Sequence, residues 1–179
     1  MLTAPLVHPE CLMHRLNGRL HRHTLLTVIP VLLLLLVIAL TAGAPARTRG
    51  TDAEAGAMLD RAERYLNRNG VGAAPGVFAD HEGGFIDRDL YPMLLDRDGV
   101  MVAHGWTPSL NGSNLTDLRD ADGKPFMREA LDGVERQGRA DVTYRWLDPL
   151  SGQIARKTMH ARRLVLNGKP YTLAVGVYR

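Results

Sequence analysis

The stretch LYPMLLDRDGVMVAH, residues 90–104, decides the fold class. Two short apolar runs, 90–96 and 100–104, flank Arg97-Asp98-Gly99, and an Asp-Gly pair between such runs favours a tight chain reversal. The segment therefore predicts a β-hairpin. Upstream the period is helical instead. Ala55, Met58, Leu59, Ala62, Tyr65 and Leu66 recur on one face of a helix predicted over 52–69. Thr51 and Glu54 have the spacing of a capping box, and Gly70 suits the C-terminal stop.

Residues 71–89 are rich in Gly, Pro and Asp and read as a loop, with Val77, Phe78, Phe85 and Ile86 as anchors. After the hairpin comes a polar loop over 105–123, then a second amphipathic helix over 124–137 carrying Phe126, Met127, Ala130, Leu131 and Val134. Three strands follow, at 141–147, 154–166 and 171–178, separated by turns at Ser151-Gly152 and Asn167-Gly168. Helix, two strands, helix, three strands is the order of an α+β fold: an antiparallel sheet flanked by helices.

The N-terminus is of another kind. Residues 24–46 carry no charge, and 25–40 are nearly all aliphatic. About 20 apolar residues span a bilayer as a helix. Arg15, Arg19 and Arg22, with His21 and His23, precede the run and place residues 1–23 in the cytoplasm. The length of the run fits an uncleaved anchor, while Ala44-Pro45-Ala46 fits a signal-peptide cleavage site. Both readings put residues 47–179 outside the cytoplasm, either on the membrane or free in the periplasm.

Charge and cysteine exclude several functions. Residues 1–50 hold five arginines against one glutamate, a net of +4. Residues 51–179 hold 17 basic and 18 acidic side chains, a net of −1, so the folding part has no basic surplus for a nucleic-acid backbone. Cys11 is the sole cysteine, which rules out an intrachain disulfide, a CxxC zinc site and a haem attachment motif. No cofactor is expected.

Asp120, Asp122, Gly123 and Glu129 match positions 3, 5, 6 and 12 of a calcium loop, but Leu118 stands where the first carboxylate belongs. Asp122 is better read as a cap for the following helix. His81, His104 and His160 have no zinc spacing, and Ser109, Ser113 and Ser151 lie in turns without a GxSxG context. No nucleophile–base pair is legible, and an enzyme is not expected.

Strand alternation groups other side chains. Val142, Tyr144 and Trp146 share one face of their strand; Lys157, Met159, Ala161 and Arg163 share one face of the next, with Arg156, Thr158, His160 and Arg162 on the other. His104 is expected on the face of Val100 and Val102. If Lys157 points inward, an ammonium, an imidazole and aromatic rings converge on one side of the sheet. A buried cation calls for an anion, and a small carboxylate supplies one.

Several stretches, in order, resemble a known family: Asp89-Leu-Tyr91, DRDGVMVAHG (96–105), LNGSNLTDLRDADGKPF (110–126), Tyr144-Arg-Trp146 with Pro149, Lys157, and Val175-Gly-Val-Tyr178. Together they look like a single Cache domain of the second type, found outside bacterial chemoreceptors and sensor kinases, over residues 78–178. The resemblance implies a PAS-like antiparallel sheet behind a long N-terminal helix, and binding of small organic ligands, often short carboxylates. It assigns His104, Tyr144, Trp146 and Lys157 to the pocket, with Tyr91 and Trp106 nearby. Where relatives carry Tyr three residues after the Lys, this chain has His160.

These readings lead to a stand-alone extracytoplasmic module, lacking its own transmitter domain, that binds a small carboxylate and reports to a membrane partner, a sensor kinase or chemoreceptor. The alternative is a ligand-free adaptor that keeps the fold and binds a membrane protein. The apolar stripe of the helix 52–69 also admits a homodimer.

Overall fold

The computed structural model describes residues 49–179. Cys11 and the expected cytoplasmic segment and apolar run lie outside the described residues. Among those described, no helix is long and apolar enough to cross a membrane.

Helix α1, Asp52–Asn69, opens with the expected reciprocal cap: the Glu54 N–H donates to the Thr51 hydroxyl, and the Glu54 carboxylate accepts from the Thr51 N–H. Ala55, Met58, Leu59, Ala62 and Leu66 are buried against the sheet. Each large side chain so buried stabilises the fold by about 1.5–3 kcal/mol. The stripe that admitted a dimer is thus already covered by the sheet.

Residues 71–89 are not all loop. A 3-10 turn, Val71–Ala73, leads into a short helix α2, Ala74–Ala79, with Pro75 in its first turn. Proline there lacks only an N–H that the helix does not use, which is why a Gly/Pro-rich run still coils. Phe78 and Phe85 anchor the segment, as expected, and both are buried in the α1 layer.

The sheet has five strands: β1 Pro92–Asp96, β2 Met101–His104, β3 Arg139–Leu147, β4 Ile154–Leu166 and β5 Lys169–Tyr178. Their spatial order is β2-β1-β5-β4-β3, with every neighbour antiparallel. Asn167 and Gly168 both take positive φ, 50° and 75°, and turn β4 into β5. The second helix, α3 Phe126–Gln137, starts two residues later than expected, and its N-cap Pro125 makes no side-chain cap. Gly138 ends α3 in the left-handed region, φ 75°, and β3 begins at the next residue. Helices α1 and α2 cover one face of the sheet; α3 and the loop 105–123 cover the other.

The calcium-like loop is organised differently from either expectation. Asp120 accepts from the backbone N–H groups of Asp122, Lys124 and Arg145, at 2.9, 2.8 and 2.9 Å, so its carboxylate serves the loop itself. Asp122 reaches Arg145 instead of capping α3, and Glu129 pairs with Lys124.

Candidate functional site

The face of the sheet turned towards α3 gathers the chemically interesting groups. Tyr144 lies directly across from Lys157 in the β3–β4 ladder, and Val142 across from Met159, so one face holds all four. β5 contributes Tyr178, the partner of Lys157, and Gly176, the partner of Met159. Gly176 is a spatial requirement: a Cβ there would lie 2.1 Å from Lys157 Cε. The bare backbone lets the lysine cross β5 towards β1.

Lys157 is fully buried. Its Nζ donates to the Tyr91 hydroxyl at 2.6 Å and to that of Tyr178 at 3.4 Å, and stands 4.1 and 4.4 Å from the two ring centroids. Loss of water around the ammonium lowers its pKa to about 7, despite Asp89 and Asp148, which raise it from a distance. Among the described residues none forms an ion pair with it. Tyr178 in turn donates to the Leu147 carbonyl at 2.5 Å. Burial raises the phenol pKa of Tyr91 to about 12 and pushes those of Tyr144 and Tyr178 up, so all three rings keep their protons.

His104 reaches this face by an irregularity. The β1–β2 register shifts between Leu94 and Leu95, pairing Leu95 with Met101 and Met93 with His104. The extra residue puts His104 on the side of Met101, whereas Val102 packs in the α1 layer. Simple alternation placed His104 with Val102, and the bulge overturns that. Burial, and secondarily the Lys157 charge, lowers the imidazole pKa to about 4. Its Nδ1 accepts from the Thr107 N–H at 2.8 Å, which leaves the proton of the neutral ring on Nε2.

Tyr91, His104, Tyr144 and Trp146 border a cavity of about 20 Å³, completed by Phe126, Leu110, Leu115, Leu118 and three methionines, Met93, Met101 and Met127. Phe126 stacks on Tyr144 with 4.0 Å between centroids. Lys157 meets the cavity only through Tyr91. Its Nζ donates to the phenol oxygen of Tyr91, whose hydroxyl also interacts with that of Tyr178. Among the described residues no acidic side chain lines the space. Trp106 does not enter it: the indole is 38% exposed, 6.2 Å from the rings of Tyr91 and His81, at the rim.

His160, the departure from the family pattern, faces the other way. Its two nitrogens lie 2.7 Å from Asp141 and 2.8 Å from Asp52, on the α1 side, so it does not bear on what the cavity holds. Gly176, Tyr178 and Phe126 are the site residues that sequence reasoning did not assign; their signals were the Gly-Val-Tyr ending and an aromatic at the start of α3. A wider groove of about 440 Å³ lies between α3, β5 and the β1–β2 turn, but there Arg163 is already bonded to the Val134 and Glu135 carbonyls.

The model of the family described as single Cache domain 2 matches residues 51–177. The chain belongs to that family. Its Cache fold is shared with a methyl-accepting chemotaxis protein from Vibrio parahaemolyticus, at 24% identity and a TM-score of 0.55, covering 70% of this chain and 86% of that one. A periplasmic sensor domain of a chemotaxis protein is similar at 25% identity and the same TM-score, covering 70% of this Cache chain and 93% of its own. No curated protein sequence matches the chain.

Proposed function

We propose that this Cache domain is an extracytoplasmic sensor of a short carboxylate, held at the membrane by residues 24–46 and reporting to a chemoreceptor or sensor kinase. The observation that carries it is Lys157: a fully buried amine whose charged form has no ion-pair partner among the described residues, behind a cavity lined, among those residues, by donors and no acid. Burying a cation is unfavourable unless an anion offsets it. A carboxylate in the cavity would accept from the Tyr91 O–H and His104 Nε2–H, with Lys157 behind Tyr91 supplying the positive potential. The apolar walls suit a ligand of few carbons, and the three methionines can re-pack around it. Ligand binding would act by favouring one of two conformations, to the extent that its affinity differs between them.

A second reading, the ligand-free adaptor, is favoured by one observation: about 20 Å³ is room for roughly one water. Thermal unfolding against short carboxylates and amino acids separates the two. A ligand at 100 times its Kd stabilises by about 2.7 kcal/mol, and Lys157→Met should abolish that response while leaving the domain folded. A flat response to every compound, with Lys157→Met unchanged, would leave the adaptor.

A further inference from the structure

Three of the five large apolar side chains that are exposed among the described residues sit on one hairpin end: Leu147 at 56%, Leu150 at 50% and Ile154 at 45%. Leu147 and Ile154 are direct partners closing the β3–β4 ladder, and Leu150 lies in the turn between them. The turn is not free to fold these residues inward. Asp148, its side chain fully buried, accepts from the Leu150 N–H at 3.0 Å and the Ser151 hydroxyl at 2.6 Å, while its other partner is the guanidinium of Arg49 at 2.5 Å. A loop built this firmly around a buried carboxylate presents its aliphatic side chains outward as a fixed shape.

Arg49 is the third residue after Ala46, where the uncharged run ends. Three residues of extended chain reach about 10 Å. The C-terminus meets the same end, with the Arg179 N–H donating to the Arg156 carbonyl at 2.8 Å, and Arg156 stands exposed beside Ile154. An aliphatic tip with an arginine at its edge, tethered that closely to a bilayer-length apolar run, matches an interface of hydrocarbon below phosphate.

We propose that the β3–β4 turn rests on the outer surface of the bilayer, with Leu147, Leu150 and Ile154 in the headgroup–acyl boundary and Arg156 at lipid phosphates. This rests on residues 24–46 being an uncleaved anchor. Tethering makes the contact intramolecular, so three side chains suffice where they would not for a free protein.

The test uses the full chain in phosphatidylethanolamine–phosphatidylglycerol vesicles, with Cys11→Ser removing the native thiol. An environment-sensitive dye is placed at Leu150→Cys and, as control, at Val165→Cys, an equally exposed site at the far end of β4. The expected result is blue-shifted emission at 150, quenched by lipid spin-labelled near the headgroup and lost on adding Leu147→Asp, with the dye at 165 unaffected throughout. Dye at 150 shielded from aqueous iodide but untouched by the spin-labelled lipid would mean that protein covers the turn, and would overturn the proposal. So would equal, full access of iodide to both sites. Flotation with the vesicles is read in parallel. A chain that floats without quenching sinks only the docked turn; one that fails to float sinks the anchor reading as well.

Discussion

The two faces of β4 treat their basic side chains in opposite ways. On the α1 side, Arg162 bonds to Asp60 at 2.8 Å and lies 3.3 Å from Glu63, and His160 sits between Asp141 and Asp52. These groups are partly solvated, and their carboxylates come from the chain itself. On the other side Lys157 is fully buried and has only phenols. Desolvation raises the value of a counter-ion where water is absent, yet here the chain supplies counter-ions to the wetter side. The α1 side thus has its carboxylates within the domain, and the cavity side is where the charge of the proposed ligand would count most.

The largest effect should come from removing the buried cation. Lys157→Met is expected to reduce carboxylate affinity by roughly 2–5 kcal/mol, the range for truncating one partner of a buried charge pair. Without ligand it should unfold no earlier than the parent, because a buried amine that must either shed its proton or stay unneutralised has gone. Calorimetric titration beside a melting curve reads both; a variant that binds as before would break the contrast between the faces. Next comes Gly176→Ala, whose methyl collides with Lys157 Cε. Overpacking of this kind lowers stability by about 1–3 kcal/mol, and displacement of the ammonium from Tyr91 should weaken binding too. Retained affinity with lost stability would mean that Lys157 need not reach β1.

The pH dependence sharpens the comparison further. Between pH 10.5 and 7 the unfolded chain holds the Lys157 proton and the folded domain does not. Stability should therefore decline as pH falls through that window and level off below 7. His104, depressed from 6.5 to about 4, adds a second decline between those values. Carboxylate binding favours the protonated lysine, so above pH 7 it should take up a proton, visible as a dependence of binding enthalpy on the buffer's ionisation heat. The smallest effect belongs to the other face: Arg162→Ala should lower stability by roughly 0.2–1 kcal/mol and leave ligand affinity alone.

Much of this architecture was legible because it follows from local chemistry. The Thr51–Glu54 cap, the turns at Asn167-Gly168 and 97–99, and the period change at residue 90 each depend on residues adjacent in sequence. Alternation grouped Lys157 with Met159 and Ala161 but left open which way that face points; its burial opposite Tyr144 settles it. His104 was placed with the wrong neighbour because a bulge adds one residue to β2, which no period-two reading contains. Asp122 was misread because its partner, the Arg145 guanidinium, comes from 23 residues away. Trp106, set near the pocket by the resemblance alone, lies at its rim, 6.2 Å from the Tyr91 ring.

By itself the sequence determined the fold class, the strands, the family and which side chains share a face with Lys157, since propensity, period and turn chemistry are properties of short segments. The tertiary structure alone decided that Lys157 has no acid beside it among the described residues, that Gly176 gives it passage to Tyr91, and that His160 looks away. Each of these depends on the β2-β1-β5-β4-β3 order, which sets a residue beside partners tens of positions distant; register and burial are properties of the assembled sheet.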